Sequence, residues 1–136
     1  MASDRMVQRV LDIIEWFQPQ YWAFENPASG LLKERPVVDG LPWRDVTYCK
    51  YGSKYRKWTR IWTNLGNHWN SRCLCTFHTP CEAMVGRKHP QTAQRGFGGG
   101  DKHTLEELYS IPEPLCLEIA EAVTQAVWVL PEFVAD

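Results

Sequence analysis

The chain has 136 residues, enough for one modest hydrophobic core and too few to call for two. An apolar fraction of 44% and an aromatic fraction of 12% exclude a disordered segment, because disordered chains lack the apolar surface that offsets chain entropy. The formal charge of -1 conceals segregation: residues 44 to 95 carry ten Lys and Arg against Asp45 and Glu82, whereas residues 96 to 136 carry Lys102 against eight acids.

Residues 4 to 17 place Met6, Val10, Ile13, Ile14 and Phe17 at helical spacing, with Ser3 or Asp4 as N-cap, and predict an amphipathic helix. Pro19 ends it, and Tyr21 to Phe24 form a short apolar run expected as a buried strand that finishes at Glu25, Asn26 and Pro27. Ala28 to Trp43 has no sustained period and reads as a loop. Val46 to Tyr51 and Thr59 to Thr63 are rich in β-branched and aromatic residues and predict an antiparallel pair joined through Gly52 and Ser53. Residues 64 to 103 hold three cysteines, all four histidines and the Gly98 to Gly100 run, without an apolar period; so long an irregular stretch needs a staple. The glycine run lacks a following Lys-Ser or Lys-Thr, so it reads as a hinge and not a phosphate loop.

Residues 104 to 109 predict one or two helical turns, and Pro114 to Val127 a helix with Leu115, Ile119, Ala122, Val123 and Ala126 facing inward. Trp16, Trp22 and Trp128 are assigned to the core and His68 and His103 to the surface. The expected fold is a single α/β domain over residues 1–136: helix, strand and hairpin over 1–63, a stapled loop region over 64–103 and a helical segment over 104–136, with about three strands in a mixed sheet. No apolar run approaches the roughly 20 residues of a membrane span, and no basic-then-apolar pattern opens the chain, so an intracellular setting, cytoplasm or nucleus, is expected. The basic middle suggests a polyanionic partner, with a solvated basic face as the bland alternative.

Five cysteines without an export signal point to a metal more than to disulfides. Cys73, Cys75, His78, Cys81 and His89 fall within seventeen positions, and Cys49 ends a strand that leads into them. Zinc takes four such donors in a tetrahedron, and short spacings let one loop supply most of them. The tetrad expected is Cys49, Cys75, Cys81 and His89, with Cys73 and His78 as substitutes. Cys116 lies on the apolar face of the last helix and reads as an ordinary buried thiol.

Three segments carry a family resemblance. Glu25-Asn26-Pro27 closes a strand; Tyr51-Gly52-Ser53-Lys54-Tyr55-Arg56-Lys57-Trp58-Thr59-Arg60-Ile61-Trp62 forms a basic hairpin; and Ile111-Pro112-Glu113-Pro114-Leu115 opens the last helix. In order and character these resemble the Glu-Asn-Val, Tyr-Gly-x-Pro-Gln-x-R-x-R and Ala-Val-Pro-Pro-x-Leu motifs of DNA cytosine-5 methyltransferases. Tyr48-Cys49-Lys50-Tyr51-Gly52, Thr59-Arg60-Ile61-Trp62-Thr63-Asn64 and the Cys/His cluster are similar to a divergent, phage-like branch of that family. The match covers roughly residues 5 to 127.

The resemblance implies the distal part of a methyltransferase-type Rossmann fold acting on DNA with S-adenosylmethionine. Glu25 would serve the ring nitrogen of cytosine while a thiolate attacks carbon 6, with Asn26 and Arg60 completing the catalytic set. Lys50, Lys54, Arg56, Lys57, Arg60, Arg72, Arg87, Lys88 and Arg95 would contact nucleic acid, and Ile111 and Pro112 would border the cofactor. Among the tryptophans, Trp58 and Trp62 are the candidates for base stacking.

Two departures matter. Tyr55 stands where the family has glutamine, and the arginine pair is displaced to Arg56, Lys57 and Arg60. The Gly-rich cofactor loop and the Pro-Cys nucleophile expected before Glu25 are not found, and the single Pro-Cys, Pro80-Cys81, falls inside the metal cluster. The chain is therefore expected to act with a complementing half or as a homodimer, and to be inactive alone. A non-enzymatic zinc-binding DNA module is the competing reading; an RNA cytosine methyltransferase is a third, disfavoured by the motif order.

Overall fold

The structure, a computed structural model, describes residues 2–93 and 103–128, so Arg95 and the Gly98 to Gly100 run lie outside the described residues. Helix α1 (Ala2–Phe17) leads into strand β1 (Ala23–Pro27), followed by two short 3-10 turns at Leu31–Glu34 and Pro36–Val38. Strand β2 (Trp43–Thr47), a 3-10 turn at Tyr48–Tyr51, and strands β3 (Tyr55–Arg56) and β4 (Trp58–Thr63) come next. A long excursion contains a 3-10 turn at Gly66–His68 and ends in β5 (Gln91–Thr92); α2 (Leu105–Tyr109) and α3 (Glu113–Trp128) close the chain. Among the described residues no helix is long and apolar enough to cross a membrane.

The expected α/β character holds in its coarse form, but the main sheet is not mixed. Its order is β1-β4-β2 with every pair antiparallel, and the parallel contact is a separate two-residue pairing of β3 with β5. The second predicted strand also shifts: pairing ends at Thr47, and Tyr48 to Tyr51 wind into a 3-10 turn that Gly52 terminates at φ 97. A left-handed residue there is easy only for glycine. Glu25, Asn26 and Pro27 finish β1 as expected, whereas the strand starts at Ala23 and not at Tyr21.

Register sorts the side chains onto two faces, because cross-strand partners in an antiparallel pair share a side. Glu25, Ile61 and Arg44 align on one face, and Asn26, Arg60 and Asp45 on the other. Toward α3, Val46, Tyr48, Tyr51, Ile61, Leu65, Trp69, Leu115 and Ala122 form one core, with Ile119 and Val123 packed against it as the helical spacing predicts. Toward α1, Val7, Leu32, Val38 and Trp62 form a second, flanked by Leu11, Trp22 and Phe24. The sheet is thus a middle layer, and both faces are needed to bury it.

Helix α1 spans Ala2–Phe17, so Asp4 lies inside it and does not cap it but bonds the guanidinium of Arg35; the Ser3 side chain lies outside the described residues. Its inner stripe runs through Val7 and Leu11, one residue around from the stripe predicted: Met6 is 74% exposed and Phe17 73%. The apolar face of this helix is broad, so period alone left its rotation open. Trp16 and Trp128 are likewise exposed, against expectation, and Trp22 is half-buried. The tryptophans that fill the cores are Trp62 and Trp69. Trp62 at 2% exposure is sealed by stacking on Phe24 at 5.3 Å, which removes it as a base platform. His103 is also not a surface residue: its side chain is 12% exposed and its ring packs 4.8 Å from that of Tyr55.

Candidate functional site

Four ligand atoms converge where the long excursion folds back on the end of β2. The donors of Cys49, Cys75, Cys81 and His89 all lie within 4.8 Å of one another. Zn–S bonds of about 2.3 Å and Zn–N bonds of about 2.0–2.1 Å place sulfur and nitrogen roughly 3.5–3.6 Å apart in a regular tetrahedron. Here His89 Nε2 sits 3.2 Å from Cys81 Sγ and 3.8 Å from Cys75 Sγ, which brackets that separation. Cys73 and His78, the substitutes, stand outside the group and are exposed.

Local structure explains the convergence. The 3-10 turn after β2 buries Cys49, and the Cys75 amide donates to Thr47 Oγ1 at 2.9 Å, tying the loop to the last strand residue. Thr79 Oγ1 donates to the Leu74 carbonyl, and Lys50 Nζ to that of Pro80, which fixes the turn carrying Cys81. Gly86 at φ 60 closes a tight hairpin in which Val85 and Lys88 exchange backbone bonds, and His89 follows. Burial, reinforced by the charge of Arg56, lowers the His89 pKa and favours the neutral imidazole that ligates metals.

A second feature opens on the α3 face. A hollow of about 290 Å³ is lined by Ala23, Phe24, Glu25, Tyr48, Ile61, Ile111, Leu115, Cys116 and Ile119. Beside it Glu25 Oε2 is buried without a hydrogen-bond partner among the described residues, and the buried Tyr48 OH and Thr59 Oγ1 have only each other. Buried polar groups are nearly always paired, so an orphaned carboxylate oxygen beside this opening marks a place that a ligand or water completes. Burial and then the charge of Glu25 push the Tyr48 phenol well above its ordinary value, and the contact with Thr59 opposes this. Cys116 is exposed at the rim and is not the buried thiol expected; one residue beyond Leu115 on a helix is about 100° around from it. Ile111 lines the hollow, whereas Pro112 does not.

The three residues expected at the catalytic centre are divided by the sheet. Glu25 faces α3, while Asn26 and Arg60 pair on the opposite side. Arg60 is held there by Asp45 through bonds of 2.7 and 3.0 Å and lies 3.5 Å over the Trp43 ring. Both charged side chains are mostly buried, at 15% and 11% exposure, so Asp45→Asn is expected to lower stability by roughly 1–3 kcal/mol in urea unfolding.

The other cations separate into two groups. Arg72 bonds Glu118 and the Lys50 carbonyl and lies 4.6 Å over Tyr51; Lys57 donates to the Leu108 carbonyl and Lys50 to that of Pro80. Lys54, Arg56, Arg87 and Lys88 are exposed, and among the described residues no ion pair engages them. Arg87 rests 4.3 Å over Phe77. Sequence reasoning missed Tyr48 and Thr59 as site residues. Both stand inside the family-like motifs, but nothing local shows that they would be buried against each other beside Glu25.

No family model matches the chain, and no solved structure matches it. The chain is 30% identical over 121 residues to a probable DNA (cytosine-5)-methyltransferase of Frog virus 3 (isolate Goorha), an alignment covering 85% of this chain and 56% of the relative. The chain thus spans little more than half of that relative's length.

Proposed function

As the chain is a divergent relative of DNA (cytosine-5)-methyltransferases, we propose that it is the distal part of such an enzyme, forming the wall against which an extruded cytosine is held. The observation that carries this reading is the buried, unpartnered Glu25 Oε2 in an otherwise apolar hollow that the Tyr48 phenol also lines, with Thr59 against that phenol. A pyrimidine edge offers adjacent donors and acceptors to such a set, and apolar walls accept its faces. Glu25 holds a proton at the ring nitrogen and offsets the charge that builds up when a thiolate adds to carbon 6. Tyr48 and Thr59 wall that carboxyl and exclude water from it. Asn26 and Arg60, on the far face, act as positioning residues that set the path of β1 against β4.

The Cys49, Cys75, Cys81 and His89 donor set fits zinc, which would staple the excursion and leave no open coordination position for chemistry. The hollow alone does not fit S-adenosylmethionine: its volume falls just below the ~300–1,000 Å³ of ligand pockets, and its lining holds no glycine-rich cradle for the cofactor's polar end. When bound, the cofactor supplies the methyl group; in this reading Ile111 gives one apolar contact, and the cradle and the Pro-Cys thiol come from a complementing segment. Strands β1 and β2 each pair on one side with β4, and their outer edges are where that segment, or a second copy, would add strands.

Co-expression with the part of the frog-virus relative outside the matched region tests the proposal. Methyl transfer to cytosine in DNA is expected with both pieces and with neither alone. Tight, metal-dependent DNA binding without methylation in any combination would instead favour a zinc-binding DNA module, the reading that the exposed cations around the cluster support.

A further inference from the structure

We propose that a groove between the β3–β4 strands and the cluster loop is a stacking site for an unpaired nucleic-acid base, with Trp58 as its platform. It rests on the DNA reading above and adds a contact distinct from the Glu25 hollow, with which it shares no lining residue. The groove encloses about 760 Å³; Pro27, Arg56, Trp58, Lys88, His89 and Gln91 lie along it.

Position on the strand makes Trp58 unusual. Trp62, four residues on and on the same face, is 2% exposed under α1, whereas Trp58 is 46% exposed beside the groove. Arg56 holds its guanidinium 5.8 Å from the Trp58 ring centre, a cation against one part of an aromatic surface whose remainder is open. Among the described residues no acid lines the groove, and its exposed cations, Arg56 and Lys88, are in no ion pair. A ligand matching this lining has a flat π face and an adjacent anion. A nucleotide in a single strand has both, and duplex DNA keeps its base faces stacked away.

The groove is coupled to the cluster, since His89 both contributes a donor to the Cys49, Cys75, Cys81 group and forms the groove wall next to Lys88. A metal held by those donors fixes the wall; its loss lets the wall move.

Fluorescence anisotropy with a short, labelled oligothymidylate and the zinc-loaded full chain tests the proposal. Binding is expected, with Trp58→Ala weakening it about 10–100-fold and Trp58→Phe retaining most of it. Arg56→Ala and Lys88→Ala should each reduce the salt slope by about 0.7. A chelator should weaken binding several-fold, and added zinc should restore it. Absence of binding, unchanged affinity in Trp58→Ala, or equal competition by duplex of the same sequence would overturn the stacking site. Equal affinity of the metal-free chain would overturn the coupling. The probe contains no cytosine, so failure here is separable from failure of the Glu25 reading.

Discussion

Replacing Cys75 or Cys81 with serine is expected to abolish the uptake of one zinc ion per chain and to unfold the excursion between β4 and β5. Apparent zinc-binding free energies in small Cys/His sites reach about 10–16 kcal/mol, comparable with the ~5–15 kcal/mol total stability of a domain. Trp69 and Arg72 are tied to the α3 core, but residues 73–90 contain no helix or paired strand beyond one isolated bridge, so the cluster and a few loop and turn bonds hold them. Cys73→Ser, at an exposed thiol outside the group, should retain the ion and serves as the control. Metal analysis with far-ultraviolet dichroism checks both; a wild-type chain that folds without taking up zinc would remove the staple.

Removing the metal should also change the pH dependence of stability in a defined direction. In the empty cluster, burial and then the sulfurs of Cys75 and Cys81 push the Cys49 thiol up to about 12. An unfolded thiol titrates near ~8.5, so between that pH and 12 the unfolded chain has released a proton that the folded chain keeps. Stability of the metal-free chain is therefore full below that window and falls as pH rises through it. With zinc bound the thiolate is the favoured form, and loss of stability moves to acid, where protons compete for the ligands. Melting curves at pH 7 and pH 10, with and without chelator, distinguish the two.

The second large effect belongs to Glu25. Glu25→Gln is expected to reduce methyl transfer by the complemented protein about 10²–10⁴-fold, the usual contribution of a positioned acid–base group. Glutamine keeps the shape and one donor but cannot take up or release the proton at the ring nitrogen, so the loss should fall on kcat more than on KM. Because Glu25 Oε2 has no hydrogen-bond partner among the described residues, the substitution breaks no bond at that atom and should leave stability nearly unchanged. A comparison of kcat, KM and urea unfolding in one variant separates the chemical role from a structural one. Equal turnover by Glu25→Gln would exclude the carboxyl from the reaction.

The parts of this protein legible in its sequence are those governed by short-range chemistry. The Cys/His spacing and the place of Cys49 narrowed the donors to six residues, and the four preferred among them are those that the fold brings together, because soft ligands crowded into a polar loop have few other uses. The inward face of α3 followed from its period, and the pairing of β2 with β4 from β-branched and aromatic runs around a turn. The order of the Glu-Asn-Pro and basic motifs pointed to the family of the frog-virus relative.

Tertiary structure decided what depends on the far side of a contact. The rotation of α1, the burial of Trp62 and the exposure of Trp16 were set by which stripe met the sheet, a choice that a helix with so broad an apolar face leaves open. Strand register placed Glu25 and Arg60 on opposite faces, since a step of one residue reverses every side chain. The same packing committed Arg60 and Arg72 to Asp45 and Glu118 while leaving Arg56 and Lys88 exposed. It also buried Tyr48 and Thr59 against each other near an unpartnered Glu25 oxygen. Residue type and spacing thus determined which groups this chain has for binding metal and nucleic acid; long-range packing determined which of them remain available, because a neighbour distant in sequence either pairs a polar group or leaves it open.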